Sequence, residues 1–327
     1  MIGAVISIAV QSALDPAGPL AGRIDSLTRF MVYLLTAIWV IVMIVLAVAA
    51  FRRRTQTPAS DPIPPQHDRE QRLSRTVTAG VLVSVAILFV LLVSSFLVGR
   101  AIYTRPDKST ALTIEVNGHQ WWWDVRYSNP NPSQIVTTAN EIHIPVGRPI
   151  TFRLSSMDVI HSFWVPNLHG KMDMIPGRTV ETWLQADRPG VYRGQCAEYC
   201  GHQHAHMALT IIAESDEQFG AWYQSQLQSA PAPATESQIN GQKVFLSKPC
   251  VMCHRIQGTD AGGKLGPDLT HVASRQTIAA GTLHNTREHL AQWIVNSQSV
   301  KPGNRMPPIP LSGDDLNSLL DYVQSLK

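Results

Sequence analysis

The chain has 327 residues, a formal net charge of +3, and 16% charged against 44% hydrophobic residues. Charge so close to neutral excludes a polycationic nucleic-acid binder and a disordered acidic tail, while the length allows more than one domain. Its four cysteines fall in two close pairs, Cys196 with Cys200 and Cys250 with Cys253.

The hydrophobic residues are unevenly spread. Residues 30–51 (FMVYLLTAIWVIVMIVLAVAAF) and 76–99 (TVTAGVLVSVAILFVLLVSSFLVG) carry no charge. As helices they would span about 33–36 Å, enough to cross a hydrocarbon core about 30 Å thick. Two membrane helices are expected, since soluble core helices rarely run so far without a polar position. Between them, Arg52, Arg53, Arg54, Arg69, Arg72 and Arg75 outweigh Asp61, Asp68 and Glu70, whereas only Arg23 and Arg29 precede the first run. The arginine bias predicts a cytoplasmic loop, with both termini and everything after Gly99 on the outer, periplasmic face of a bacterial plasma membrane. Residues 1–14 read as a signal-peptide remnant without the basic lead.

After Arg100 the pattern becomes alternating. Leu112, Ile114 and Val116, then Ile150, Phe152 and Leu154, then Val180, Thr182 and Leu184 repeat every second residue, separated by Pro- and Gly-bearing turns. Short strands so punctuated predict a β-sandwich or barrel over residues 111–213. One surface helix follows at 215–227, with Phe219, Trp222 and Tyr223 on one side. The Pro/Ala-rich stretch 228–236 reads as a linker, whose random-coil reach would be roughly 20 Å. Beyond it, Asn285-Thr-Arg-Glu288 and Ser312-Gly-Asp-Asp315 resemble capping-box helix starts, and Leu316, Leu319, Leu320 and Val323 form one helical face. The expected multi-domain membrane protein therefore has a lead (1–29), a transmembrane α-helical hairpin (30–99), an all-β domain (100–227), a linker (228–236) and a small all-α domain (237–327).

Cys250-Val-Met-Cys-His254 is the attachment signature of c-type haem: two thiols one helical turn apart add to the vinyl groups, and His254 is delivered to the iron. A thioredoxin-like pair would need a βαβ setting, which the pattern lacks, and half of a zinc site would need another ligand pair, for which no spare cysteine remains. Met306, on a Pro-rich loop before the last helix, is the expected second axial ligand. Met252 lies between the attached cysteines and points the wrong way, while His271, His284 and His289 are the other candidates. With Gly266-Pro-Asp-Leu269 and Arg305-Met-Pro307, this part of the chain resembles a class I cytochrome c domain. The resemblance gives Gly266-Pro267 the role of shaping the loop that orients His254.

The stretch Cys196-Ala-Glu-Tyr-Cys-Gly-His-Gln-His-Ala-His-Met207 is dense in soft ligands. Its residues alone admit a disulfide, a structural zinc or an electron-transfer copper. A covalent haem on the same side of the membrane passes single electrons, which zinc cannot accept. The stretch resembles the CuA centre of cytochrome c oxidase subunit II. Asp158-Val-Ile-His-Ser-Phe-Trp-Val-Pro166, Gly118-His-Gln-Trp-Trp-Trp123 and Lys171-Met-Asp-Met-Ile-Pro-Gly-Arg178 extend the likeness over nearly all of residues 25–225, and imply that the all-β domain is cupredoxin-like.

By this resemblance Cys196 and Cys200 bridge two coppers, His161 and Met207 complete one, and His204 with the Glu198 carbonyl completes the other. The Glu198 carboxylate would ligate magnesium or manganese at the boundary with subunit I. Trp121 matches the position where electrons come in from cytochrome c. His202 and His206 are expected to be surface residues, His119, His143 and His169 structural or interfacial, and Trp122 and Trp123 core aromatics. The resemblance as a whole implies an electron-transfer subunit II of a caa-type haem–copper oxidase. Its partners would be subunits I and III, its donor reduced cytochrome c or a quinol-oxidising complex, and its haem would feed CuA and then subunit I, where oxygen becomes water. The alternatives are the matching subunit of a CuA-bearing nitric oxide reductase and a copper assembly protein. A quinol-oxidase subunit would lack the copper ligands.

Overall fold

The computed structural model describes residues 11–52, 67–104 and 112–327. Arg53, Arg54 and Asp61 of the arginine loop, and the first ten residues of the expected signal remnant, lie outside the described residues. The chain divides into two compact units, one formed by Arg23–Thr104 and the other by the residues before and after it.

The first unit holds most of α1 (Pro19–Phe51) and all of α2 (His67–Tyr103). Their apolar windows have mean hydropathy 2.9 and 3.0 and are not covered by protein. Bare apolar helices of this length suit hydrocarbon, where every backbone polar group is satisfied within the helix. The opening turns of α2 are polar, with Asp68, Arg69, Glu70, Arg72 and Arg75, so the helix extends beyond its uncharged run.

In the second unit two five-stranded sheets face each other. One sheet, in spatial order, is β3 (Val136–Ala139), β2 (Trp122–Ser128), β1 (Thr113–His119), β5 (Ile150–Ser156) and β8 (Val180–Leu184). The other is β4 (Glu141–Pro145), β10 (Ala208–Glu214), β9 (Gly190–Cys196), β6 (His161–Trp164) and β7 (Met172–Met174). Pairing is antiparallel except for β1 with β5 and β4 with β10. This is the sandwich that the alternation predicts, with the cupredoxin-like character that the resemblance implies. Ile114, Val116, Phe152, Leu154, Phe163 and Ile211 point inward and are almost fully buried. Each such side chain contributes roughly 1.5–3 kcal/mol relative to exposure.

Helix α3 (Asp216–Gln226) starts at a capping box between Ser215 and Gln218. It lays Phe219, Trp222 and Tyr223 on Tyr127, with ring centroids 6.5, 5.2 and 5.9 Å away.

The C-terminal helices are α4 (Glu236–Ser247), α5 (Cys250–Cys253), α6 (Arg287–Val295), α7 (Ser297–Val300) and α8 (Gly313–Ser325), with a minimal hairpin of β11 (Thr277–Ile278) and β12 (Leu283–His284). A second core joins Phe245, Ile256, Leu290, Ile294, Leu319, Leu320, Tyr322 and Val323. Ser312 caps α8, as its spacing predicts. For α6 the cap is Thr286, one residue later than expected, whose hydroxyl accepts from His289 N (3.3 Å). Asn285 is drawn elsewhere, donating to the carbonyls of Val272 (2.8 Å) and Arg275 (2.9 Å).

The stretch before α4 is not a random coil. Ala230 N donates to Gln257 O (2.9 Å), and Gln228 O lies 3.0 Å from His271 Nε2. These bonds lay the start of the linker on the haem-motif domain.

Candidate metal and haem centres

Strand alternation turns Cys196 inward: Tyr192, Gly194 and Cys196 take the buried positions at the end of β9. The chain loops through 197–207 and returns as β10, closed by Cys196 N donating to Met207 O (2.9 Å). A short 3-10 turn at His204–His206 folds the loop back on itself. β6 lies beside β9 with Phe163 opposite Cys196, which brings His161 to the same end of the sandwich.

The six residues named for copper converge there. The Cys196 and Cys200 sulfurs are 3.7 Å apart and both cysteines are free. His161 Nδ1 is 3.8 Å from Cys196 Sγ, and Glu198 O is 3.1 Å from it. His204 Nδ1 and Met207 Sδ lie 3.6 and 3.9 Å from Cys200 Sγ. The ligating atoms of His161, Cys196 and Cys200 are within 4.8 Å of one another. Because 3.7 Å is less than twice a metal–thiolate bond of about 2.3 Å, one ion can touch both sulfurs. Soft sulfurs with imidazoles, a thioether and a carbonyl suit copper, so the residues fit the group.

Electrostatics prepare the same donors. The hydrogen bond with Cys200 pulls the Cys196 pKa well down, and the same pairing pushes Cys200 up, so the pair favours sharing one proton between the two sulfurs. A bound cation takes that proton's place. Burial opposes charge on His161, but Asp158 and Cys196 outweigh it and raise its pKa. Asp158 Oδ1 accepts from His161 Nε2 (2.9 Å) and Val159 N (2.8 Å), and Oδ2 from Gln120 N (2.8 Å). Despite burial these bonds hold the carboxyl at about 2. With Nε2 donating to Asp158, the Nδ1 lone pair faces the sulfur. Gly118 makes room for the ring, since a Cβ there would meet His161 Cδ2 at 2.8 Å.

Trp121 is buried beside this loop, and its indole donates to Cys200 O (2.9 Å), as does Gln120 Nε2 (2.9 Å). Trp123 is a core residue, edge-on to Phe163 with centroids 6.0 Å apart. Trp122 corrects the core expectation: it is half-buried and stacks on His119 at 4.5 Å, because its side chain emerges on the other face of β2. His143 sits between Glu214 (2.8 Å) and Glu141 (3.4 Å) and stacks on Trp222, while His169 meets Thr182 Oγ1 (2.9 Å). His202 and His206 are exposed. The Glu198 carboxylate lies 3.3 Å from Lys171 Nζ.

At the haem motif, α5 is a single turn bearing Cys250 and Cys253, with His254 as its C-cap. His254 Nδ1 donates to Pro267 O (2.8 Å), leaving Nε2 free for iron, and burial lowers its pKa so the ring stays neutral. A Cβ at Gly266 would sit 2.7 Å from His254 Cε1, so this glycine is required by the ring's position. These features fit a c-type haem: two half-buried thiols and one oriented neutral imidazole. Met306 is half-buried, its loop fixed by Met306 O accepting from Ser297 Oγ (2.6 Å) and Gln298 Nε2 (3.0 Å). Met252 is 65% exposed. Both His271 nitrogens are occupied, at 2.9 Å from Lys327 O and 3.0 Å from Gln228 O, and His289 Nδ1 is 3.1 Å from His284 O.

Cytochrome c oxidase subunit 2 of Alkalihalophilus pseudofirmus is 37% identical over 324 residues, 97% of this chain and 91% of that protein. The chain belongs to the cytochrome c oxidase subunit II family. Its residues 112–214 match the family described as Cytochrome C oxidase subunit II, periplasmic domain, and residues 238–327 match Cytochrome c. Cytochrome c oxidase subunit 2 of Bacillus sp. (strain PS3) is 32% identical over 236 residues, 68% of this chain and 64% of that protein. The crystal structure of the periplasmic domain of subunit II (CoxB) of Bradyrhizobium japonicum is 33% identical, covering 38% of this chain and 96% of that one, with a TM-score of 0.35.

This subunit II is thus part of an oxidoreductase complex, with a CuA-type copper domain and a c-type haem domain joined in one chain. It is membrane-anchored and works with a subunit I. One residue that organises the site carries no sequence signal of its own: Gln120, bonded to both Asp158 and the Cys200 carbonyl. Asp158 has one, as a carboxylate three positions before His161 in the same motif.

Proposed function

We propose that the chain is a one-electron relay in which Cys250, Cys253, His254 and Met306 hold the haem, and His161, Cys196, Cys200, His204, Met207 and the Glu198 carbonyl hold the copper. Bound there, a c-type haem and a binuclear copper supply reversible single-electron carriage towards subunit I, where oxygen is reduced to water. The remaining work is done by the chain itself. Asp158 orients His161, the Pro267 carbonyl orients His254, and the sandwich buries Cys196, Cys200 and Met207 from water. Rigid, dry donors limit the rearrangement that accompanies a change of charge. The observation that carries the reading is the convergence of two thiols, two imidazoles and a thioether at one end of the sandwich.

In this reading the domains fall at 30–99, 100–227 and 237–327, and the linker at 228–236. Both redox domains and both termini lie on the periplasmic side. Trp121 is the point of electron input to copper, supported by its bond to Cys200 O. Reduced cytochrome c or a quinol-oxidising complex donates to the haem, and subunit III completes the core assembly. The Glu198 carboxylate binds magnesium or manganese with subunit I, exchanging Lys171 for the cation.

Low-temperature EPR with visible spectra on the detergent-solubilised full chain, after haem maturation and copper loading, tests the relay. One unpaired electron shared equally by two coppers, beside low-spin c-haem bands, is expected. A single-copper signal or a zinc-filled site would overturn it.

A further inference from the structure

The haem domain does not hang free in this structure. Lys301, just past α7, is 2% exposed although lysine is among the least often buried residue types. Its ammonium donates to Trp121 O (2.8 Å), His206 O (2.8 Å) and Ala279 O (3.2 Å). Three donors thus meet three carbonyls, two of them on the copper domain. Desolvation lowers its pKa to about 7, with the Cys200 sulfur favouring the charged form against that cost.

Neighbouring bonds run in both directions across the same seam. Gln203 Nε2 donates to Pro302 O (2.8 Å), and Ala208 N to Ala280 O (2.9 Å). Gln276 N donates to Glu141 Oε2 (3.0 Å), and Arg305 Nη2 lies 3.8 Å from Asp158 Oδ2. The turn that presents the Ala279 and Ala280 carbonyls is held left-handed at both alanines, φ 54° and 57°. Non-glycine residues keep that conformation only where surrounding contacts fix it. Gly303 lies beside the indole of Trp121, a Cβ built there falling 3.9 Å from Cη2.

We propose that Lys301 is a positioning residue for haem-to-copper transfer: its ammonium locks the haem domain, with the Met306 loop, onto the Trp121 face of the copper domain and closes that face to a free donor. The proposal rests on the reading of Trp121 as the point of electron input.

The test uses the assembled oxidase carrying Lys301→Met, with Gln203→Ala as a milder change on the opposite side of the seam. Amide exchange at Ala208 and Gln276 and oxidative footprinting of Trp121 report docking; photoreduction of the haem reports internal transfer. With haem and copper spectra unchanged, Lys301→Met is expected to speed exchange at both amides by about tenfold or more, the equivalent of one lost charge-assisted hydrogen bond. Trp121 becomes labelled, internal transfer slows by a similar factor, and Gln203→Ala shifts each readout the same way by less. Wild-type exchange, footprint and transfer rate in Lys301→Met would overturn the lock. Faster exchange and labelled Trp121 with an unchanged transfer rate would instead overturn Trp121 as the input point, and with it the positioning role.

Discussion

Asp158→Ala isolates how the copper site is oriented from what binds the copper. The carboxylate touches no sulfur, yet it accepts the His161 Nε2 proton at 2.9 Å and two backbone amides at 2.8 Å. Hydrogen bonds to a charged group contribute about 1.5–3 kcal/mol each. Loss of the one that fixes the imidazole therefore corresponds to roughly ten- to hundredfold weaker copper binding, the range typical of partners behind metal-ligating histidines. Asp158→Asn retains an acceptor oxygen and should fall between wild type and Ala. The assay is competitive copper titration of the chelator-stripped full chain, followed by its visible spectrum. Melting of the copper-free protein measures separately what the Gln120 and Val159 amides lose. Unchanged copper affinity and spectrum in Asp158→Ala would refute the claim that Asp158 aims His161 at the metal.

Gly266→Ala places a methyl against His254 Cε1 and should cost about 1–3 kcal/mol by overpacking, seen as a lower melting temperature and a broadened haem spectrum. Met306→Leu removes the thioether and should turn the ferrous haem high-spin and lower its potential, whereas His289→Ala should change neither. His204→Ala should abolish the shared-electron copper signal in EPR, while His202→Ala should leave it intact. For His143, burial opposes the proton but Glu141 and Glu214 outweigh it and raise the pKa above its ordinary 6.5. The stabilisation is thus fully present below pH 6.5 and is lost as pH rises through the raised value. Thermal melts across that window should show the loss, and His143→Gln should flatten the profile.

Much of this architecture is legible because its signals are local. An uncharged run longer than a bilayer, an alternation of period two, and Cys-x-x-Cys-His each state their chemistry within a few residues. The copper loop is legible for the same reason: five of its six residues lie between Cys196 and Met207, and only His161 needs the β6–β9 pairing to arrive. What stays hidden is long-range and carried by backbone. The Cys200 carbonyl takes bonds from Gln120 and Trp121, some eighty positions away, and carbonyls leave no trace in a side-chain pattern. Trp122 departs from the core expectation because the alternation of β2 turns Trp123 inward and leaves Trp122 on the other face. Asn285 has the residue type of a cap, but its amide is committed to Val272 and Arg275. The linker composition likewise describes a free chain, whereas Gln228 and Ala230 are held by His271 and Gln257.

That last difference changes how the fusion works. A free linker would raise the donor's concentration to about millimolar and leave orientation to chance encounters. Here the linker is bonded down at its start, and the haem domain meets the copper domain through Lys301, Gln203, Ala208 and Glu141. Most of these bonds end on main-chain groups, so they specify position more strictly than a rim of mobile charges would, and are less screened by salt. Transfer across such a seam depends on a fixed separation instead of a search. The rate of haem-to-copper transfer should accordingly be insensitive to ionic strength between about 10 mM and 1 M, where the Debye length falls from roughly 30 to 3 Å. A steep decline over that range would mean that the haem domain finds copper by electrostatic encounter, and that the docked arrangement is one stop on a swinging path.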